Sequence, residues 1–296
     1  LTTWYRETPA RLRQRANERI RGAAGLNTMP PPRCNDPEES YSDVFGVARV
    51  VHGDLPSMLV GGLGSLFFQM LHPYAMAGVA DHSRYQDDPL GRLLQTANFI
   101  SATTYGSKES AKKAIARVQN VHNFVHGVAD DGVPYDANDP HLLLWVHCAE
   151  IFMFLTSYRR FGATRLSDQQ ADQYVDEMAP LARDFGVLDP PRSVRDLTRT
   201  LEGFRPELRL SADGVIARDF VAHRVVTSRT QRFVYRIFVL SAWALLPVWA
   251  ADLLGVKTNT TFDRLIVRPS TRVLSALFRL AVPAPPQVAR VSPPST

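Results

Sequence analysis

From Asp43 onward, apolar residues recur at three- and four-residue spacing in segments near 57–72, 88–105, 107–128, 139–161, 167–185, 193–209, 212–226, 231–254 and 260–281. That period lays one apolar stripe along each helix and predicts an all-α fold. No run shows sustained period-two alternation closed by hairpin turns, so a sheet is not expected. Start signals agree with these segments. Asp139 followed by Pro140 reads as an N-cap with proline in the first helical position, and Ser167 with Gln170 is a capping-box pair. Ser107, after Gly106, can cap the helix that follows.

The same reading divides the chain. Residues 1–42 hold an amphipathic helix, Trp4 to Arg21, and a proline-rich loop. Residues 43–281 form one large helical domain, and the proline-rich tail, 282–296, cannot pack a core. The apolar run Ile237 to Leu254 carries one charge, Asp252, and an internal Pro247. Its 18 residues sit at the lower edge for a bilayer span. The favoured reading is a buried core helix, with peripheral membrane contact as the minority reading.

Composition narrows the class of function. With 45% hydrophobic and 21% charged residues, the 296-residue chain can bury a substantial core. The net charge of +5 is a mild excess, and arginine, which heavily outnumbers lysine, is scattered rather than clustered on one face. A nucleic-acid partner is therefore not expected. Two cysteines, Cys34 and Cys148, offer neither a disulfide framework nor a cysteine metal site. They fit a reducing compartment, and a cytoplasmic location is expected.

Candidate chemistry lies with the eight histidines. On the 107–128 helix, Ala111, Ile115, Val118, His122 and Val125 form one stripe, with His126 a turn beyond His122 on the same side. A buried neutral imidazole needs a hydrogen-bond partner or a metal, and the residues alone leave both open. His122 and His126 have the spacing of a zinc pair, but Asn123 stands where an HExxH motif carries its glutamate, which weakens a hydrolase reading. The preceding helix, near 88–105, carries one stripe of Leu93, Ala97 and Ile100 and a neighbouring one of Arg92, Gln95, Thr96, Phe99 and Thr103. Such a helix is expected to be buried, making Arg92 and Thr96 partly buried polar groups. A buried guanidinium pairs either with a carboxylate (Asp81, Asp87 or Asp88) or with an acidic group on a ligand. His72, Tyr74, His82, Ser83 and Tyr85 form a dense polar cluster, read on its own as a helix–loop junction with caps.

In order along the chain stand HPYAMAGVADHS (72–83), DPLGRLLQT (88–96), YGS (105–107), RVQNVHNFVHG (117–127), YDANDPHLLLWVH (135–147) and LSDQQADQYVDEM (166–178), leading into GVLDPPRSV. This series resembles the family of rubber oxygenases (latex-clearing proteins) and the fungal oxygenase MpaB of mycophenolic acid biosynthesis, over roughly residues 44–250. The resemblance implies an all-helical fold with a globin-like core and haem b held between the two helices just described, with His122 as the iron's axial ligand and Arg92 and Thr96 beside the haem. A second-shell partner should then fix the tautomer of His122. His126 is a further cofactor-binding candidate. Two departures bear on the reaction. Rubber-cleaving members place a lysine just before the threonine, where this chain has Gln95, and Met76 lies in the stretch that supplies their acidic residue. Polyisoprene cleavage is therefore not expected. His72 or His82 is the candidate to approach the distal side. The expected function is a haem-dependent oxygenase or oxidase acting with dioxygen or peroxide on an apolar or aromatic small molecule. The alternative is a haem-binding carrier or sensor, or a catalytically inactive helical interaction protein.

Overall fold

The computed structural model describes residues 33–226 and 228–281. The first helices are α1 (Val47–Gly53), α2 (Leu55–Gln69), α3 (Pro73–His82), α4 (Pro89–Tyr105) and α5 (Lys108–His122). Strands β1 (His126–Val128) and β2 (Pro134–Asp136) come next, then α6 (Pro140–Phe161), α7 (Asp168–Asp184) and α8 (Val194–Phe204). After a 3-10 turn, Arg205–Glu207, the chain continues through α9 (Ala212–His223), α10 (Arg229–Leu245) and α11 (Val248–Leu254). A short helix Thr260–Phe262 and a π-turn Asp263–Val267 lead into α12 (Arg268–Ala281). The fold is all-α and forms a single domain. The N-terminal helix and the proline-rich tail expected from the sequence lie outside the described residues.

The spine is the pair α2 and α6. Small residues on α2 let the backbones approach: a Cβ added at Gly61 would come within 3.1 Å of the Met153 carbonyl, and Ser57 O accepts a 2.7 Å bond from Ser157 Oγ. Around this contact Phe67, Phe68, Trp145, Ile151, Met153 and Tyr158 are fully buried. Helix α12 closes one end, where Arg279 grips Asp54, at the start of α2, with a 2.6 Å bond from Nε, and also binds Phe161 O at the end of α6. α6 is apolar and long enough to cross a membrane, but 61% of its most apolar window is buried in this fold, as befits a central helix.

The caps at Ser107, Asp139 and Ser167 form as the sequence predicts, the last as a full capping box. Four expectations are corrected. The 231–254 run is not one helix. It breaks at Leu246 and Pro247 into α10 and α11, because proline cannot donate to the preceding turn. Buried residues on both pieces, among them Phe238, Ala242, Ala250 and Leu254, face the core. Residues 73–82, read as a junction, form α3 with Pro73 in its first turn. The 107–128 helix stops at His122, and Asn123 caps it. Finally, a sheet does exist, though a small one: β1 and β2 pair antiparallel, Gly127 opposite Tyr135. Three-residue strands are too short to show alternation.

Candidate functional site

The site region is built on the hairpin of α4 and α5. Asp88 caps α4 by accepting from Gly91 N at 2.9 Å, and Ser107 caps α5 by accepting from Ser110 N at 3.2 Å. Between them only glycine fits at 106, where a Cβ would meet Ala102 O at 2.4 Å. The C-terminal end of α4 is firmly held. Ala102, Thr103, Thr104 and Tyr105 are buried, Tyr105 O–H donates to Arg49 O at 3.0 Å, and Thr104 Oγ1 lies 2.7 Å from His52 Nδ1.

The N-terminal half of α4 is not held in this way. Arg92, Gln95 and Thr96 are exposed, and so is Leu93. The expectation that Arg92 and Thr96 are partly buried is overturned: both are exposed, whereas Leu94, Ala97, Asn98 and Ser101, around the helix from them, are half-buried. Arg92 makes no ion pair or hydrogen bond through its guanidinium among the described residues. Its three candidate carboxylates are engaged elsewhere: Asp81 with Tyr135, Asp87 with Arg84, and Asp88 with the α4 cap. Thr96 Oγ1 donates back to Arg92 O at 3.1 Å.

His122 is the last residue of α5 and is half-buried. Its Nδ1 is buried without a partner, and no hydrogen bond among the described residues engages Nε2. The second-shell partner expected to set its tautomer is thus not found among the described residues. Burial holds its pKa below the usual imidazole value; Asp136 opposes this and the Arg92 charge adds to it, so the ring is neutral at pH 7. That coupling shows the α4 guanidinium and the α5 imidazole to be electrostatic neighbours. The ring packs at 6.2 Å against Phe185, which also packs at 5.8 Å against Phe99 of α4. Phe185 is set there by the end of α7, where Gly186 adopts φ +100° and Val187 N bonds to Ala182 O.

The other candidate histidines lie elsewhere. His126 is exposed on β1, paired in register with Asp136, and not one helical turn beyond His122. His82, also exposed, lies 3.2 Å from Tyr135 Oη through Nε2 and lines an open cleft of about 750 Å³ with Lys113, Arg117, Asn120 and Phe124. Those α5 residues are on the side of the helix opposite His122. His72 is fully buried among Trp145, Phe204 and Tyr74, beside Glu207, and none of its ring contacts comes from α4 or α5.

A further set of groups was not singled out from the sequence. On α6, Leu144 packs against the same small cluster of Leu143, Ala182 and Val187 as Phe185 does, and a turn or two on come His147 and Glu150. Both are walled in by surrounding atoms yet keep some accessible surface. Desolvation pushes the Glu150 carboxyl up to about 7 and the His147 imidazole down to about 4, and His147 Nε2 has no partner. Glu150 is coupled electrostatically to Tyr174 of α7, whose hydroxyl is 3.0 Å from His52 Nε2. His52 in turn meets Thr104 of α4. The i, i+3 spacing of His147 and Glu150 on an otherwise apolar helix was the available signal. Phe185, presented by a glycine-ended helix, left none.

Residues 49–279 match the family model described as ER-bound oxygenase mpaB/B'/Rubber oxygenase, catalytic domain. No curated protein and no solved structure matches the chain. The matched span contains the α4–α5 hairpin, the α2–α6 spine and nearly all of α12. The chain thus belongs to the mpaB/rubber oxygenase family, as an oxygenase catalytic domain.

Proposed function

We propose that the protein is a haem b-dependent oxygenase or oxidase whose iron is held by His122. It would act with dioxygen or peroxide on an apolar or aromatic small molecule. The observation that carries this reading is the free imidazole: half-buried, neutral, unpartnered among the described residues, and next to an unpaired guanidinium on the adjoining helix. Leaving a buried nitrogen without a bond costs about 1–3 kcal/mol, which ligation at this ring would offset. The residues present therefore fit the group. A bound haem supplies a redox-active iron able to activate dioxygen.

The chain's own residues have definable tasks. His122 offers a neutral nitrogen as ligand without first having to lose a proton. Arg92 is free to pair with an acidic ligand group such as a propionate, where a forked guanidinium is well suited. Phe99 and Phe185 shield the imidazole from water. Gln95 has no charge and is a poor iron ligand, so it would not compete with His122 for a bound iron. Glu150, its carboxyl pushed up to about 7 by desolvation, can hold or release a proton near neutral pH.

The test is an absorption spectrum of the full chain expressed with haem supply. A Soret band is expected in the wild type and its loss in His122→Ala. Retention of haem by that variant would move the ligand to His126 or elsewhere, and a wild type that stays colourless after haem titration would sink the cofactor assignment.

A further inference from the structure

A second cluster of ligand-type side chains lies away from the α4–α5 hairpin, and the preceding assignment makes no use of it. His72, at the start of α3, His141, in the first turn of α6, and Glu207, on the 3-10 turn after α8, bring one donor atom each within 4.8 Å of one another. His141 Nε2 lies 2.8 Å from Glu207 Oε2, which accounts for those two groups as an ion pair. It does not account for His72. That side chain is 1% exposed, and both of its ring nitrogens are buried without a hydrogen bond. Its Nε2 stands 3.8 Å from Glu207 Oε2, beyond hydrogen-bond reach. An unpaired, nearly inaccessible imidazole therefore points at an imidazole–carboxylate pair.

We infer that His72, His141 and Glu207 form a binding site for a divalent transition-metal ion of the zinc class. Metal–nitrogen bonds of 2.0–2.1 Å in a tetrahedral ion separate neighbouring ligand atoms by roughly 3.3 Å. The observed 2.8 and 3.8 Å bracket that separation. Two imidazoles and one carboxylate favour zinc or a neighbouring metal over magnesium or calcium, which prefer all-oxygen shells. The side chains of His141 and Glu207 are 52% and 43% exposed, so water can complete the shell from outside while His72 closes it from within. The backbone already fixes the arrangement. Arg209 N bonds to Leu71 O at 2.8 Å, tying the Glu207 turn to the segment that carries His72. Phe204 packs at 4.5 Å on the His141 ring and also meets His72. An ion here would staple α3, α6 and the end of α8.

The experiment strips the full-length protein with a chelator, then adds Zn²⁺ alone and follows binding by calorimetry and thermal unfolding. Expected are one tight site per chain and a midpoint raised by about 5–10 °C at hundredfold excess over Kd. His141→Ala and Glu207→Gln, both at exposed positions, should each weaken that site by more than the roughly tenfold that even an outer-shell partner contributes. His122→Ala should leave it unchanged, which separates this site from the haem assignment. Tight binding that survives in both His141→Ala and Glu207→Gln, or that disappears in His122→Ala, would overturn the proposal. So would wild-type binding no tighter than that of the His141→Ala, Glu207→Gln double variant.

Discussion

The α2–α6 spine and the α4–α5 hairpin are both pairs of helices but reach opposite outcomes: the spine helices are apolar over most of their surface, whereas α5 is polar outside one stripe. In the spine, glycine and serine on α2 bring two backbones together, and nearly every large side chain between them is buried. In the hairpin, among the described side chains, α4 fully buries none before Ala102, and α5 only Ala111 and Ile115. The spine satisfies Ser157 on Ser57 O but leaves His147 Nε2 without a partner, and the hairpin leaves Arg92 and His122 without partners among the described residues. Orphaned polar atoms occur in both regions, and what sets the hairpin apart is that its Arg92 and His122 sit on elements that are only partly covered. Under the proposed function, the spine would position and the hairpin would hold the cofactor.

Substitutions should separate the two regions sharply. The largest effect is expected from His122→Ala, which should lower haem affinity by well over the roughly 10- to 100-fold that outer-shell partners supply, as read by Soret titration. Its unfolding midpoint in the haem-free state should stay within about 2 °C of wild type, since the lost ring makes no hydrogen bond among the described residues. Gly61→Val should do the reverse. Even a Cβ there meets the Met153 carbonyl and the Phe154 backbone at 3.1 Å, so a branched side chain must push α2 and α6 apart. Overpacking of this kind costs about 1–3 kcal/mol, seen as a midpoint several degrees lower, and the protein that remains folded should still bind haem. If Gly61→Val abolished haem binding in folded protein, the separation of the two regions would be wrong.

Much of this division was legible in the sequence. Helical periodicity and caps located α4 to α7, and the stripe that ends in His122 picked out the residue whose ring proves to be free. What was not legible depended on tertiary packing. Periodicity cannot tell a helix that is covered from one that leans on its neighbour along one side, so Arg92 and Thr96 were expected to be buried. Nor does helical spacing show where a helix ends when the stop comes from Asn123 and a three-residue hairpin, and that placed His126 on the wrong element. His72, His141 and Glu207 lie 69 and 66 residues apart, and no local pattern connects them.

Arg92→Ala offers a finer cut within the hairpin. A free guanidinium that pairs with an acidic ligand group contributes about 1.4 kcal/mol at an exposed site, so haem affinity should fall about tenfold. The loss should shrink with added salt, because exposed charges are screened within about 10 Å at 0.1 M. An Arg92→Lys variant should recover part of the affinity but not the geometry of a fork. A salt-independent loss would point to a packing role for the side chain instead.

The smallest expected effect tests the boundary between the two regions, which runs along α6. Glu150 belongs to the spine helix yet keeps some accessible surface, and its carboxyl is raised from 4.5 to about 7 by desolvation. A raised folded-state pKa means that the native protein holds this proton more tightly than the unfolded chain. Glu150 therefore costs nothing below about pH 4.5 and progressively destabilises the fold as pH rises through 7. His52 and His147, both lowered to about 4, act in the opposite sense, losing stability as pH falls from 6.5 toward 4. Comparing Glu150→Gln with wild type at each pH cancels the histidine contributions, since both proteins carry them. The two should unfold at the same midpoint at pH 4.5, and the variant should become more stable by about 1 kcal/mol by pH 8, once residual contact with water is allowed for. A difference that does not change between pH 4.5 and 8 would mean that the carboxylate is already solvated. The wet region would then reach into the spine, and the line between the two halves of the molecule would have to be redrawn on the far side of α6.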